Sequence, residues 1–190
     1  MEYDPFIEIA EAETVYPVSE DSILLIQSLD VIPGERILEI GCGSGVVSIH
    51  CAKNGCVVTA VDVNPNAVEA ARINADMNYV PLDVIHSDVY DNVNGTFDTI
   101  IFNLPYLPVE EEGLAEKAWA GGFDGMGPLP RLLSESSKYL DKNGRIVVVV
   151  SSLMDQDTLN SLLSKYGVDV LGEESQFFEK LRVLEIRPLS

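Results

Sequence analysis

The sequence contains few basic residues. Its 12 Lys and Arg stand against 31 Asp and Glu, which gives a formal net charge of −19, and no two basic residues are adjacent. Nucleic-acid-binding proteins draw much of their affinity from Lys and Arg side chains that neutralise phosphates. The composition therefore argues against direct binding of DNA or RNA. We interpret the acidity as a source of solubility or an adaptation to salt, rather than as evidence of a specific cationic partner.

Cysteine and histidine are also scarce. Cys42, Cys51 and Cys56 form neither a Cys-x-x-Cys motif nor an even set, which favours reduced thiols in the cytosol over a disulfide framework. His50 and His86 are the only histidines and stand apart in the sequence, which favours structural roles over metal ligation. We therefore predict no metal site.

Long apolar runs are missing too. The longest are of strand length, so we expect no membrane span, and the acidic N-terminus lacks the apolar core of a signal peptide. With 190 residues, of which 46% are hydrophobic, the chain is long enough to bury a substantial core. These features predict one cytoplasmic domain over residues 1–190, with an N-terminal helical segment at 1–30.

Strands and helices alternate along the chain. Strands are predicted at 36–40, 56–62, 82–86, 97–102, 145–150, 168–173 and 178–187. Helices are predicted after a capping Ser19 and at 45–54, 65–78, 129–140 and 155–165. This alternation predicts an α/β domain with a doubly wound, Rossmann-like sheet, mostly parallel. No helix separates the last two strands, so they are expected to form an antiparallel hairpin at the edge of the sheet.

A long irregular stretch, 107–128, contains five glycines and the single Trp119. Loops of this length inside a compact domain are usually functional, and we expect a substrate loop here. Trp119 with Gly121 and Gly122 could form a lid over the substrate. A Trp that packs under the loop would explain the same residues.

A glycine-rich motif follows the first predicted strand and opens a helix. Gly41, Gly43 and Gly45 would let the backbone turn tightly and let a ligand approach the main chain. NAD, FAD and S-adenosylmethionine sites share this motif. Glu39 narrows the choice, because its carboxylate would repel a pyrophosphate by roughly 1–4 kcal/mol at about 4 Å. The same charge would attract the ammonium and sulfonium groups of S-adenosylmethionine.

Two further acids follow predicted strands. Asp62 ends the second strand, where a carboxylate can accept both ribose hydroxyls, although it could also cap a turn before Asn64. Asp88 could accept from the adenine amino group while Val89 offers its backbone N–H, although turn chemistry would also explain an Asp there. Ligands of open α/β sheets bind at the carboxyl ends of strands, where these residues fall.

The segment Asn103-Leu104-Pro105-Tyr106 ends an apolar strand and suits the binding of a planar NH2 group. The Asn103 side-chain oxygen and the Leu104 carbonyl can each accept one hydrogen. Pro105 fixes the backbone there, and Tyr106 offers a flat face to cover the group. With the glycine motif, this segment predicts a methyltransferase that acts on an amide or an exocyclic amine.

Together these residues resemble the HemK-like class I S-adenosylmethionine-dependent methyltransferases. The resemblance is to the short archaeal and eukaryotic branch, which methylates the glutamine of a release factor's Gly-Gly-Gln loop, and it covers nearly the whole chain. It is carried by Val15-Tyr16, Glu20-Asp21-Ser22, the motif at 38–45, Asp62, Asp88, the segment Asn103–Tyr106, and Trp119 with Ala120, Gly121 and Gly122.

The resemblance implies a fold, ligands and a partner. It implies a seven-stranded sheet and a release-factor glutamine held by Asn103, Pro105 and Tyr106. It also implies a small zinc-binding activator subunit that pairs with the third strand, near 82–85. S-adenosylmethionine would be bound by Ser22, Glu39, Gly41, Asp62, Asp88 and Val89, together with the other loop glycines, Gly43 and Gly45, and Asn103.

One departure keeps alternatives open. The family motif is Asn-Pro-Pro-Tyr, and Leu104 replaces its first proline. Asn-Leu-Pro-Tyr also occurs in ribosomal RNA adenine dimethyltransferases, which usually carry an added helical domain and a basic surface that this chain lacks. The alternatives are therefore an adenine-N6 methyltransferase, a protein-lysine methyltransferase, or a cofactor-holding module without catalysis.

Overall fold

The computed structural model describes residues 1–104 and 125–189. The strands are β1 Arg36–Ile40, β2 Val57–Asp62, β3 Asp83–His86, β4 Phe97–Asn103, β5 Leu140–Ser151, β6 Tyr166–Ser175 and β7 Lys180–Pro188. The helices are α1 Glu20–Ser28, α2 Val46–Lys53, α3 Pro65–Met77, α4 Leu129–Glu135, the short 3-10 helix Ser136–Lys138, and α5 Gln156–Leu163.

The strands form one seven-stranded sheet in the order β3-β2-β1-β4-β5-β7-β6. The pairs from β3 to β5 are parallel, whereas β7 runs antiparallel to both β5 and β6. The predicted doubly wound, mostly parallel sheet with an antiparallel C-terminal hairpin is confirmed. The order places β3 at one edge and the hairpin at the other.

Both faces of the sheet are buried, which explains the unbroken apolar run in β5. Ile146, Val148 and Val150 belong to a core cluster with residues of α4 and α5. Val147 and Val149 belong to a second cluster, with residues of α1 and α2. A parallel strand covered on both faces cannot alternate with polar residues, so its sequence is continuously apolar.

Some predicted boundaries differ from those of the structure. The predicted helix 129–140 ends earlier, and Leu140 already pairs with Phe97 as the first residue of β5. Phe178 lies before β7, in the turn of the hairpin. Within the segment 1–30, the helix occupies only Glu20–Ser28, and Ser19 takes the N-cap position without a side-chain capping hydrogen bond.

The scarce residues lie in ordinary structural environments. The three cysteines are free and buried. His50 is buried, and its Nδ1 lies 2.7 Å from the carbonyl oxygen of Val46. Over residues 1–104 and 125–189, no group of His, Cys, Asp and Glu could hold a metal ion. Within the same ranges, no helix is long and apolar enough to cross a bilayer.

Candidate active site

The carboxyl edge of the sheet brings three of the predicted residues into one row. Ile40, the last residue of β1, pairs with Val61 of β2 and with Phe102 of β4. The residues that follow these three are Gly41, Asp62 and Asn103. Adjacent strands lie about 4.8 Å apart, so the backbones of Asp62 and Asn103 are separated by about 10 Å, with the glycine motif between them.

The glycine motif is a tight loop between β1 and α2. Gly41, Gly43 and Gly45 all have positive φ, at 65°, 52° and 80°. A Cβ atom on Gly41 would lie 2.9 Å from the Phe102 ring, and one on Gly45 would lie 3.2 Å from the Cα of Ala71 on α3. The loop therefore depends on glycine for its conformation and for close packing against β4 and α3.

Asp62 ties this loop to the end of β2. One of its carboxylate oxygens accepts the N–H of Gly43 at 2.9 Å, and the other accepts the N–H of Asn64 at 2.8 Å. The second bond is the turn contact that the sequence left open as an alternative. Burial raises the pKa of Asp62, and the two backbone hydrogen bonds oppose that rise. Each oxygen still has a lone pair for a ligand hydroxyl.

Glu39 is almost fully buried beneath the loop. Its carboxylate accepts hydrogen bonds from the backbone N–H of Ser48, at 2.9 Å, and from the Ser48 hydroxyl. Burial raises the pKa of Glu39 to about 8, an effect that Ser48 opposes and the nearby Asp62 charge reinforces. A cationic ligand bound nearby would lower this pKa and favour the ionised form of Glu39.

Asn103 ends β4 with an unused acceptor. Within the described part of the chain, its Oδ1 is the buried side-chain polar atom that has no hydrogen-bond partner. An unpaired buried acceptor costs about 1–3 kcal/mol. A buried polar group without a partner needs a specific explanation. A ligand that donates a hydrogen bond to Asn103 Oδ1 would be such an explanation.

The loop after β3 holds Asp88 and Val89 near this edge. The N–H of Ser87 donates to the Asp62 carbonyl at 2.9 Å, which connects the two strand ends. Asp88 is exposed, and Arg131 of α4 lies 3.4 Å from its carboxylate. Val89 is buried with φ of 48°, a rare conformation for a β-branched residue. Backbone strain of this kind concentrates at ligand sites.

Ser22 lies on α1, outside the row. It is buried, and its N–H donates to the Asp21 carboxylate at 2.6 Å. The same carboxylate accepts from Ser19, whose hydroxyl lies 3.1 Å from that of Tyr16. A short polar chain therefore connects α1 to the segment that precedes it.

We call residues 1–18 the N-terminal strap. A Cβ on Gly43 would lie 3.9 Å from Val15, so the strap reaches the glycine loop. Asn74 of α3 fixes it there: the Asn74 side chain accepts the N–H of Ala10 at 2.8 Å and donates to the Ser44 carbonyl at 2.9 Å. The strap is also held by the N–H of Asp4, which donates to His50 Nε2 at 3.0 Å.

Sequence reasoning did not single out Asn74 or Arg131. Asn74 has a detectable signal, because it lies at helical spacing in the buried stripe of Ala67, Ala71 and Ala75. A polar residue inside such a stripe needs a buried partner. Arg131 has no comparable signal, because its role depends on how α4 approaches the loop after β3.

Several predicted residues lie outside the described ranges. These are Pro105, Tyr106, Trp119, Gly121 and Gly122. Of the predicted substrate loop, only 125–128 is described: Met126 is buried there, and Pro128 takes the N-cap position of α4.

Comparison with known proteins identifies the family. The family model described as methyltransferase small domain matches residues 16–178. A Methanocaldococcus jannaschii protein, provisionally named as a protein N5-glutamine methyltransferase, is 40% identical over 177 residues, 90% of each chain. The chain is a HemK-like methyltransferase of this family.

A second relative agrees with this assignment, and a solved structure shares the fold. The HEMK2 methyltransferase of Mus musculus is 33% identical over 152 residues, covering 71% of each chain. The fold matches the E. cuniculi Mtq2–Trm112 complex, described as responsible for methylation of the eRF1 translation termination factor. That match has a TM-score of 0.75 at 19% identity and covers 93% of this methyltransferase and 99% of the other chain.

Proposed function

We propose that this methyltransferase transfers a methyl group from S-adenosylmethionine to the side-chain amide nitrogen of a glutamine in the Gly-Gly-Gln loop of a translation release factor. The observation that carries the proposal is the buried, unpaired Oδ1 of Asn103. A glutamine amide brings two N–H donors, and one of them would remove the cost of that unpaired acceptor. The substrate class also matches the names of the relatives.

The row of site residues fits S-adenosylmethionine better than a dinucleotide. Asp62 has lone pairs free for ribose hydroxyls, and Asp88 stands exposed at the neighbouring strand end. Glu39 and Asp62 together favour a cationic ligand over a pyrophosphate. S-adenosylmethionine, when bound, supplies an electrophilic methyl group on a positively charged sulfur.

In this mechanism the protein positions the amide and stabilises its charge. An amide nitrogen is a weak nucleophile, because its lone pair is delocalised into the carbonyl. Asn103 and the carbonyl of Leu104 would accept its two hydrogens and align the lone pair with the methyl group, which supplies the orientation component of catalysis. As the N–C bond formed and the bond between the methyl carbon and sulfur broke, the positive charge would pass from sulfur to nitrogen, where the two acceptor dipoles would stabilise it. The proton leaves nitrogen after transfer, so no strong base is required.

The edge strand β3 is the proposed docking site for a small zinc-binding activator subunit. β3 pairs only with β2, so among the described strands its other edge has no partner. An apolar groove flanks it, lined by Val57, Val80, Pro81 and Leu82 among others. Val57 is 63% exposed there. An open strand edge beside apolar side chains suits a partner that adds a strand to the sheet.

Two other methyl-accepting groups carry N–H hydrogens that the same two oxygens could bind, and they define the alternative substrates. An adenine amino group would fit the same two oxygens, but the net charge of −19 disfavours nucleic-acid binding. A lysine side chain would bring a neutralised amine to the same acceptors. The release-factor substrate also agrees with the cytoplasmic location expected from the sequence.

The test is a methylation assay with parallel acceptors. The chain, alone and co-expressed with a candidate activator subunit, is incubated with methyl-labelled S-adenosylmethionine and one of three acceptors: a release factor, an oligonucleotide, or a basic histone-like protein. Fragmentation mass spectrometry then locates the methyl group. We expect it on the Gly-Gly-Gln glutamine, at a higher rate with the activator. Label on adenine or lysine, with none on glutamine, would refute the proposed substrate.

A further inference from the structure

The turn between β6 and β7 exposes two adjacent aromatic side chains. Phe177 is 99% exposed and Phe178 is 92% exposed, and their ring centroids are 6.3 Å apart. Phenylalanine side chains each have about 200 Å² of surface, so the pair presents roughly 400 Å² of apolar area to solvent. That is the size of the largest apolar patch on a typical monomer, and such patches are often interaction sites.

The turn is held in place at its base. The N–H of Gln176 donates to the Glu179 carbonyl at 2.7 Å and closes the turn. Lys180 exchanges hydrogen bonds with Ser152: its N–H reaches the Ser152 hydroxyl at 2.9 Å, and its carbonyl accepts the Ser152 N–H at 2.9 Å. The two rings therefore extend from a braced hairpin.

The antiparallel direction of β7 places this turn at the carboxyl edge of the sheet. Val149 pairs with Asn103 on one side and with Val183 on the other. The turn begins a few residues beyond Val183, toward the carboxyl end of β5. From strand spacing and rise, the rings lie roughly 15–20 Å from Asn103. That is too far to touch a glutamine in the site but within the footprint of a docked protein.

The charge around the rings selects the type of partner. Glu173, Glu174 and Glu179 surround the turn, and Lys180 is paired with Glu173 at 2.6 Å. An acidic rim around aromatic rings favours a partner with an apolar patch flanked by basic residues. It disfavours an anionic membrane and a second copy of this acidic chain. An activator on β3 would lie five strand spacings away, about 24 Å.

We propose that Phe177 and Phe178 dock the folded body of the methyl-accepting protein, on an apolar patch with basic neighbours, while its target side chain enters the site at Asn103. This inference rests on the proposed function, because it assumes a protein acceptor. The hairpin would then contribute to the affinity for the whole acceptor but not to the chemistry on its loop.

The experiment compares a whole acceptor with a short peptide. The double variant Phe177→Ser/Phe178→Ser and the wild type, each with its activator, methylate a full-length release factor and a peptide that carries only the Gly-Gly-Gln loop. We expect KM for the full-length acceptor to rise about tenfold, the loss typical of interface aromatic residues. KM and kcat for the peptide, and the affinity for S-adenosylmethionine, should stay within twofold of wild type. Ile32→Ser is the matched control. Ile32 is 68% exposed, but it lies before β1, at the amino ends of the parallel strands and therefore at the other end of the sheet from the site.

Charge reversal tests the basic part of the patch. Glu174→Lys should raise KM for the full-length acceptor and leave the peptide unaffected. Unchanged kinetics of the double variant on the full-length acceptor would overturn the inference, and so would an equal loss on both substrates. A wild-type enzyme that methylates neither substrate would instead refute the proposed function, so the two failures are distinguishable.

Discussion

The two sides of the carboxyl edge differ in how completely their polar groups are paired. On the side of β1 and β2, Asp62 accepts two backbone N–H groups, and Glu39 accepts two hydrogen bonds from Ser48. Asn74 joins the strap to the glycine loop on the same side. On the side of β4, Asn103 leaves a buried oxygen without a partner among the described residues.

This difference separates a preformed site from one that its ligand must complete. The glycine loop is fixed by the protein's own hydrogen bonds, so a cofactor would bind to donors and acceptors already in position. Asn103 is held at a cost that only an incoming donor would remove. The expected order of events is that the cofactor side is ready first and the substrate completes the other side.

The strongest test of this contrast is Asn103→Ala. Removing one preorganised polar group from an active site costs about 3–4 kcal/mol, which corresponds to a loss of roughly 10²–10³ in kcat. The affinity for S-adenosylmethionine should fall much less than kcat, because Asn103 is one of many predicted cofactor ligands and the others lie on the side of β1 and β2 or on α1 and the loop after β3. Single-turnover methylation and calorimetric titration measure the two quantities.

Asn54→Ala is the matched control for that variant. Asn54 follows α2 and donates to the His50 carbonyl, away from the carboxyl edge. We expect normal turnover from it. Near-normal turnover by Asn103→Ala, with the cofactor bound as usual, would show that the unpaired oxygen has no role in catalysis.

The next test removes the hydrogen bonds that hold the N-terminal strap to the glycine loop. Asn74→Ala would leave the Ser44 carbonyl and the Ala10 N–H without their buried partner, at a cost of about 1–3 kcal/mol. We expect a lower Tm, weaker S-adenosylmethionine binding, and faster hydrogen exchange over residues 1–18. Asn78→Ala is the control, because Asn78 holds the strap at Glu8 through exposed hydrogen bonds. Unchanged exchange in Asn74→Ala would mean that other contacts fix the strap.

The sequence predicted the sheet well because local signals mark most of its strands. β1 was predicted with its observed ends, since Pro33 and Gly34 precede it and Gly41 follows it. The start of β5 was missed, because Leu140 pairs with Phe97 but the polar Asp141, Lys142 and Asn143 that follow it lie in an irregularity of the ladder with β4. Phe178 was predicted to begin the last strand, but it lies in the turn before β7, which begins at Lys180.

For the site, position along the chain was easier to predict than partners. The strand-end rule located Gly41, Asp62 and Asn103, and the register places them in one row. The contacts of Glu39 with Ser48, and of Arg131 with Asp88, depend on the packing of helices, which periodicity does not specify. The pKa of Glu39 is a further example, because burial rather than sequence neighbours raises it.

That raised pKa predicts a pH dependence of cofactor binding. The pKa of Glu39 is about 8 in the folded chain, against an ordinary value of 4.5. Between pH 4.5 and pH 8, the folded chain therefore carries a proton on Glu39 that the unfolded chain has lost. Its contribution to stability is therefore greatest at low pH and falls as the pH rises toward 8. A cationic ligand favours the ionised form, so binding should release a proton and strengthen from pH 6 to pH 8. The release of one proton changes the binding constant by at most about tenfold per pH unit, which corresponds to about 1.4 kcal/mol.

Calorimetric titration of wild type and Glu39→Gln with S-adenosylmethionine at pH 6, 7 and 8 checks this prediction. The ligand's α-amino group titrates in the same range, with a pKa near 8, but it contributes equally to both proteins. The difference between them therefore isolates Glu39. Glu69→Gln, an exposed acid on α3, should behave as wild type. Parallel pH profiles for wild type and Glu39→Gln would show that the buried acid does not ionise on binding.

The smallest expected effect concerns the ion pairs of Arg131, which connect α4 to the loop after β3. Arg131, on α4, pairs with Asp91 and Glu135 and reaches Asp88 at 3.4 Å, so the helix that follows the predicted substrate loop braces the loop after β3, which holds the predicted adenine-binding Asp88. Exposed ion pairs contribute about 0–1 kcal/mol each. Arg131→Met should therefore weaken S-adenosylmethionine binding by no more than about fivefold and leave kcat with saturating cofactor unchanged, with Lys138→Met as the control. A loss of kcat with the cofactor bound normally would mean that α4 acts on the substrate side, and that the two sides are less independent than their hydrogen bonding indicates.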